Sequence, residues 1–531
     1  MCQVGEDYGE PVGEFSPRGP PCCEQKCVKC KTGQPVVVIR AGDAFCRDCF
    51  RAFYTHKFRA VLGKNRLIFP KEKVLLAWSG GASSSSMVWQ VLEGLSRDSA
   101  KRLRFVPGVV YVDEAAACGQ SPEARVQALA EVKRFLEGVP FPSHIVALEE
   151  VFLLPPSVLR RADQELEPMG PQGAYKAAVD SFLQHQQAGG SEVNSSAAPG
   201  KEPQAGACLP PTAQTEALCK LLNSVTTLTA KEELLQMLRT HLILHVARTH
   251  GYSKVMVGDS CTRLAIRLMT GLALGRGAFL AWDTGFSDER FRDVVVVRPM
   301  REHTLKEVAF YNRLFSVPSV FTPTISTKAP DKSSIHRLVE DFLLELQEQF
   351  PSTVSTVYRT SEKLLKGPKD GCAATLHCLL CLCPLDLDPA DSATAFGAQT
   401  LRLFQPPSVT LSTEPFRSSS CLLEAGATQD CCSGFCERDE PGALILEQLC
   451  YSCRVTMKDL PSLDPLPPYI LAEAQLRSQR CRCSGSLGCS PKPGATQETQ
   501  EHRLDSSDRE LAMGRVEPQQ VWAAGVDGPI L

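Results

Sequence analysis

No run of about 18 consecutive apolar residues occurs anywhere in the 531-residue chain, so no segment is long enough to cross a bilayer as a helix, and a protein without membrane contact is expected. The first fifteen residues, MCQVGEDYGEPVGEF, are acidic and contain no apolar core of signal length. A soluble, intracellular chain is therefore expected. A net excess of either charge is also lacking. A net charge of -3 gives no global basic excess for nucleic acid, so any RNA-binding surface must be a local patch. What is abundant is cysteine. In a reducing compartment 24 cysteines argue against a disulfide framework and for metal ligation. The length exceeds what one core supports, so two or three domains with linkers are expected.

The glycine pair at Ser79-Gly80-Gly81 is not followed by the Gly-Lys-Ser/Thr of a P-loop, which excludes that motif. A phosphate cradle is still expected there. Residues 74–78, VLLAW, read as a buried strand, and adjacent glycines let the backbone turn its N–H groups into a nest at the positive end of the next helix. An ordinary strand-to-helix turn is the alternative. Further strands are expected at 109–112, 145–148, 255–257 and 294–297, alternating with helices. These include one at 123–137, a long one opened by a capping box at Thr229 and Glu232, and one opened by a box at Thr304 and Glu307. This alternation predicts an α/β fold with a doubly wound parallel sheet, whose ligands bind beyond the C-terminal ends of the strands. Asp113 ends the second strand and is a candidate for that crevice, with a helix cap or loop carboxylate as its alternative. From 334 onward, Ile335, Leu338, Phe342, Leu346 and Phe350 fall on one face of a helix.

Two cysteine patterns carry metal chemistry. Cys27-x-x-Cys30 is followed after fifteen residues by Cys46-x-x-Cys49, the spacing of a closed tetrahedral Zn(II) ribbon with structural purpose. Unligated cysteines or a redox pair are the alternatives. Cys378-x-x-Cys381 and Cys450-x-x-Cys453 stand 68 residues apart and read as halves of a second ribbon, interrupted by a disordered loop at about 384–440. Loop length is a weak objection, because closure entropy grows only logarithmically. Between the first ribbon and the cradle, Lys57, Arg59, Lys64 and Arg66 are interleaved with aromatics. They suit phosphate contact, with a solvated connector helix as the alternative. A Gly, Ser, Pro and Gln-rich stretch at about 184–215 reads as a disordered insertion.

The cradle resembles the S-G-G-x-D-S loop of the PP-loop ATP pyrophosphatases, standing here as Ser79, Gly80, Gly81, Ala82, Ser83 and Ser84. With the preceding ribbon, Gly258-Asp259-Ser260 after the fourth strand and the RPMREHTLKEV entry to a later helix, the order of parts resembles the PP-loop tRNA sulfur transferases over about residues 1–475. The likeness is greatest to the partner subunit of the complex that thiolates wobble uridine. It implies a PP-loop domain at 64–325, preceded by a disordered 1–21 and a ribbon with basic helix at 22–63. A helical extension at 326–370, a split ribbon at 371–475 and a disordered tail at 476–531 would follow. It also implies nucleotide contacts at Ser79, Gly80, Gly81, Ser83, Ser84, Asp113, Gly258 and Asp259, and ATP with Mg(II) as ligands. Its implied partners are tRNA for Lys, Glu and Gln, a catalytic PP-loop paralogue and a ubiquitin-like sulfur carrier, all in the cytoplasm. The departures decide which role is expected. The family's acidic fifth position is Ser83, and its two cysteine positions fall on residues 233–238 and 316–323, which contain none. Sulfur transfer of this kind needs a thiolate or a cysteine-held cluster, and Cys261 nearby reads more simply as a packed residue. A non-catalytic partner is expected. The alternatives are a self-sufficient ATP pyrophosphatase and a zinc-ribbon scaffold without nucleotide function.

Overall fold

The computed structural model of the protein describes residues 26–39, 43–96, 102–160, 175, 179, 209–364 apart from 328 and 331, 377–385, and 445–485 apart from 459 and 461. The expected loops at 1–21, 184–208 and 386–440 lie outside these residues. So does the tail from 486 onward.

An antiparallel pair, β1 (Val37–Val38) and β2 (Ala44–Phe45), precedes the 19-residue helix α1 (Arg47–Asn65). The main sheet then begins: β3 (Lys73–Ala77), α2 (Ala82–Leu95), β4 (Val106–Asp113), α3 (Pro122–Glu137) and β5 (Ser143–Ala147). Helices α4 (Thr212–Ser224) and α5 (Leu228–Thr249) lead to β6 (Lys254–Val257), α6 (Cys261–Ala273), the short α7 (Leu280–Thr284), β7 (Ser287–Asp288) and β8 (Val295–Val297). After α8 (Leu305–Leu314) come α9 (Ile335–Gln349), α10 (Thr353–Glu362), α11 (Tyr451–Met457) and α12 (Pro468–Gly485). The compact unit ends at Arg480. Of the unit that follows, only the last turn of α12 is described.

The sheet has six strands in the order β5-β4-β3-β6-β8-β7, five parallel and β7 antiparallel at the edge, so it is mixed rather than purely parallel. Alternation along the strands fills both faces. Leu75, Val110 and Val255 enter one core, while Val74, Leu76, Val109, Tyr111 and Met256 enter the other. β7 escaped sequence reading because two residues carry no periodicity.

Several expectations need correction. Helix α5 starts at Leu228, and Thr227 caps it by accepting the Ala230 N–H at 3.3 Å. Thr229 instead accepts the N–H of Ile335 at 3.1 Å, tying the start of α5 to α9. The box at Thr304 and Glu307 is present as expected. The stretch expected to be disordered to 215 is helical from Thr212, because Leu218, Leu221 and Leu222 bury one face of α4. The final helix runs past 475 to Gly485. Helix α9 is rotated so that Leu343 and Val339 pack against Leu264, Ala265, Val354 and Tyr358, which leaves Leu338, Phe342 and Phe350 exposed.

His303 supplies a pH-dependent term. It is fully buried, its Nε2 lies 3.0 Å from the Tyr54 carbonyl oxygen, and burial lowers its pKa to about 4. The folded value lies below the unfolded one of about 6.5, so the neutral form is favoured by folding. Its contribution is complete above pH 6.5 and shrinks as pH falls towards 4, at about 1.4 kcal/mol per pH unit. His303→Gln is expected to flatten the denaturation midpoint against pH in that window. An unchanged slope would contradict this.

Candidate functional site

Read in chain order, the five parallel strands run third, second, first, fourth, fifth across the sheet, so the winding reverses between β3 and β6. A crevice opens beyond the strand ends at such a switch point. The loop Ser79-Gly80-Gly81 and the turn at Gly258 both lie there. A Cβ on Gly258 would stand 2.7 Å from Ser84 Cα, so β6 can approach α2 this closely only with glycine at that position.

The loop is braced by its own serines. Ser84 Oγ accepts the Ser79 N–H at 3.2 Å and donates to the Gly81 carbonyl at 3.0 Å, while Ser85 Oγ accepts from Trp78 Nε1 at 2.9 Å and donates to the Gly80 carbonyl at 3.2 Å. Gly80 has φ +78°, a left-handed conformation that glycine adopts without strain. Gly81 is the N-cap of α2. The backbone N–H groups of Gly81, Ala82 and Ser83 find no acceptor among the described residues and remain for a ligand. A second brace comes from residues 312–323. The Val320 N–H donates to the Gly80 carbonyl at 3.0 Å, Thr322 Oγ1 to the Ser79 carbonyl at 2.9 Å and Asn312 Nδ2 to the Ala82 carbonyl at 2.8 Å. This brace was missed from the sequence, where 316–323 registered only as lacking cysteine.

The carboxylates are committed elsewhere. Asp113 ends β4, but its Oδ1 accepts the Ala115 N–H at 3.0 Å and its Oδ2 accepts from Arg125 Nε at 2.6 Å. Arg125 turns its remaining nitrogens to Glu149 at 2.6 and 3.0 Å, and all three side chains are buried. The loop-carboxylate alternative therefore describes Asp113 better than a nucleotide contact. Asp259 pairs with Arg267 at 2.9 Å and lies 3.4 Å from Arg298. Burial works against its charge, but Arg267, Arg298 and Arg263 outweigh it and hold the carboxyl below the usual range. Donors thus fit phosphate oxygens, whereas Ser83, Asp113 and Asp259 offer no uncommitted carboxylate for Mg(II).

Among the described residues, neither Cys261 nor Cys118 is set up as a nucleophile. Cys261 is buried against Leu264, Leu343 and Tyr358, and burial pushes its pKa up to about 12. Cys118 donates to the Pro323 carbonyl at 3.3 Å and is pushed up to about 11, again by burial. In the segment 233–238, Glu233 pairs with Arg276 and with His336 Nε2 at 2.8 Å.

The cysteine pairs do converge. Cys27, Cys30, Cys46 and Cys49 hold their sulfurs within 4.8 Å of one another, and Cys378, Cys381, Cys450 and Cys453 do the same across the intervening segment. Cys30 and Cys46 are 3.8 Å apart, Cys381 and Cys450 3.6 Å. Four thiolates at about 2.3 Å from one tetrahedral ion would stand about 3.8 Å apart, so each set fits a single metal ion. A Cβ on Gly33 would lie 2.9 Å from Cys46 Cβ, which explains the glycine in the first knuckle. Hydrogen bonds from Thr32 and Gly33 lower Cys30 to about 5, while Cys46 beside it pushes Cys49 up to about 12. The second set is embedded in the larger core with Leu379, Leu380 and Leu449. Beside it, Cys383 receives a contact from Arg290 Nη1 at 3.0 Å.

Of the basic residues read as RNA contacts, Lys57 is drawn to both Glu307 oxygens at 2.9 Å and lies over the Phe53 ring. Arg59 is half-buried and engaged by the protein. Lys64 and Arg66 are exposed at the far end of α1.

A family model described as cytoplasmic tRNA 2-thiolation protein 2 matches residues 334–455. A Homo sapiens protein of that description is 70% identical over 495 residues, covering 90% of this chain and 96% of its own. A Bos taurus counterpart is 65% identical over 521 residues, covering 97% and 100%. One from Danio rerio is 49% identical over 495 residues, covering 90% and 97%. Among solved structures, the U34-tRNA thiolase NcsA from Methanococcus maripaludis with its 4Fe-4S cluster is similar at 17% identity and a TM-score of 0.42. That likeness covers 66% of this chain and 91% of that one.

Proposed function

The chain belongs to the cytoplasmic tRNA 2-thiolation protein 2 family, and from that premise we propose that it is the non-catalytic partner in a cytoplasmic complex that 2-thiolates the wobble uridine of tRNA. A catalytic PP-loop paralogue would complete the heterodimer, and a ubiquitin-like thiocarboxylate protein would supply the sulfur. One observation carries the non-catalytic part: the cradle keeps its phosphate donors, while its carboxylates are committed to arginine, Cys261 is buried, and the half-buried Cys118 donates to a backbone carbonyl. The N–H groups of Gly81, Ala82 and Ser83 would hold a nucleotide phosphate or a phosphate of the RNA. Zn(II) is the ion proposed for both cysteine sets, because four thiolates close a tetrahedron and leave no coordination site for chemistry.

Two variants test this reading. A Cβ on Gly81 meets only Ser79 Oγ, at 3.7 Å, so Gly81→Val should place its side chain over the N–H nest without disturbing the strand. ATP binding should fall at least tenfold with thermal stability unchanged. Thiolation by the reconstituted complex should fall only in part. Ser83→Ala should be nearly silent in the same assay. A loss of roughly a hundredfold or more on Ser83→Ala, the size expected of a residue acting on the transition state, would mean that this chain carries chemistry.

A further inference from the structure

We propose that the knuckle of the N-terminal cysteine set is a phosphate-contacting surface for tRNA, and that it works with the far end of α1 as a two-point grip. The proposal rests on the tRNA reading above and locates the contact. Lys26, Lys29 and Lys31 flank Cys27 and Cys30, all three are exposed, and no ion pair or hydrogen bond engages their side chains among the described residues. The turn that carries them is held rigidly. Cys27 N–H donates to the Gly33 carbonyl at 2.9 Å, Lys31 N–H donates to the Cys27 carbonyl at 2.8 Å, and Lys31 sits at φ 59°.

Charge is concentrated here. Residues 26–66 contain ten Lys and Arg against Asp43 and Asp48, a net +8 in a chain whose total is -3, so the remainder carries -11. An ion with two positive charges bound by four thiolates would remove two units, and the segment would still be strongly basic. A polyanion approaching the molecule is therefore oriented towards this segment.

Within it, the cations of α1 from Arg47 to Lys57 are occupied by the protein itself. Arg47 donates to the Leu314 carbonyl at 3.0 Å, Arg51 pairs with Glu93 at 2.7 Å and Lys57 with Glu307 at 2.9 Å. Among the described residues, the uncommitted charges lie on the knuckle before α1 and at the helix's C-terminal end. Cys46 caps the N-terminus of α1, which puts the knuckle at that end, and Lys64 and Arg66 stand at the other. Nineteen helical residues span about 28 Å, so the two groups meet phosphates on separate parts of one RNA rather than on neighbouring nucleotides.

The test uses the full chain assembled with its partner subunit, unfractionated tRNA as probe, and affinity measured against KCl concentration. Combining Lys26→Gln, Lys29→Gln and Lys31→Gln should weaken binding at least tenfold at low salt and reduce the log–log salt slope by about two to three, with metal content unchanged. Lys64→Gln with Arg66→Gln should reduce the slope by about two. If the triple variant loses metal, the single variants Lys29→Gln and Lys31→Gln serve instead, each expected to lower the slope by about one. A wild-type assembly whose tRNA binding ignores salt would defeat the tRNA reading itself. Salt-dependent wild-type binding with unaltered knuckle variants would defeat the grip alone.

Discussion

Cys450→Ser is expected to abolish stable folding of the main unit, together with loss of about one equivalent of bound metal. Structural zinc in small peptides contributes roughly 10–16 kcal/mol of apparent binding free energy, as much as the 5–15 kcal/mol by which whole domains are stable. The site lies inside the larger core. Cys378, Cys450 and Cys453 are buried with Leu379, Leu380, Leu449, Tyr469 and Ile470, and the Leu380 carbonyl is 2.7 Å from Nε2 of the buried His241. Losing the ion would free segments that join α5, α11 and α12. Cys46→Ser should also remove about one equivalent, with a smaller effect, because that set lies at the edge of the second core through Phe50 and Tyr54. Metal analysis and thermal unfolding with and without chelator check both. A metal-free wild type, or a Cys450→Ser protein with unchanged melting, would contradict the assignment.

Arg125→Met is the second substitution with a large expected cost. It strands the carboxylates of Asp113 and Glu149, whose side chains are 6% and 0% exposed, without the cation that lies 2.6 Å from each. Removing one partner from a buried ionic network costs roughly 3–5 kcal/mol, because an uncompensated charge stays in the interior. Adding Asp113→Asn to Arg125→Met should recover part of that loss. Chemical denaturation measures all three proteins. If Arg125→Met costs less than about 0.5 kcal/mol, typical of an ordinary surface change, the network is not structural and Asp113 returns as a candidate ligand for the crevice.

These residues also mark where the sequence was legible. Short apolar runs located all five parallel strands, because a strand packed inside a parallel sheet reads as a near-continuous apolar stretch whatever its neighbours are. The CxxC pairs were legible because metal coordination imposes local spacing, and it did so even across the 68 residues between Cys381 and Cys450. The partners of Asp113 were not. Arg125 and Glu149 reach it only after α3 and β5 have folded back on β4, and nothing in local spacing announces such a contact. The same limit hid Glu307 as the partner of Lys57, 250 residues away, so a cation that looked available from its neighbours is committed by the fold. Thr229 and Thr227 offer similar caps to α5, and the choice between them is made by Ile335, which takes the Thr229 hydroxyl.

A chain that completes a thiolating complex without performing the chemistry is inactive alone and required in the assembly, and reconstitution separates the two. The purified chain, its PP-loop paralogue, and the two together would each be supplied with tRNA, ATP and the thiocarboxylate donor, and 2-thiouridine would be quantified in the digested tRNA. No product is expected from this chain alone, and full activity only when both subunits are present. Thiolation by this chain without the paralogue, or full activity of the paralogue without this chain, would contradict it.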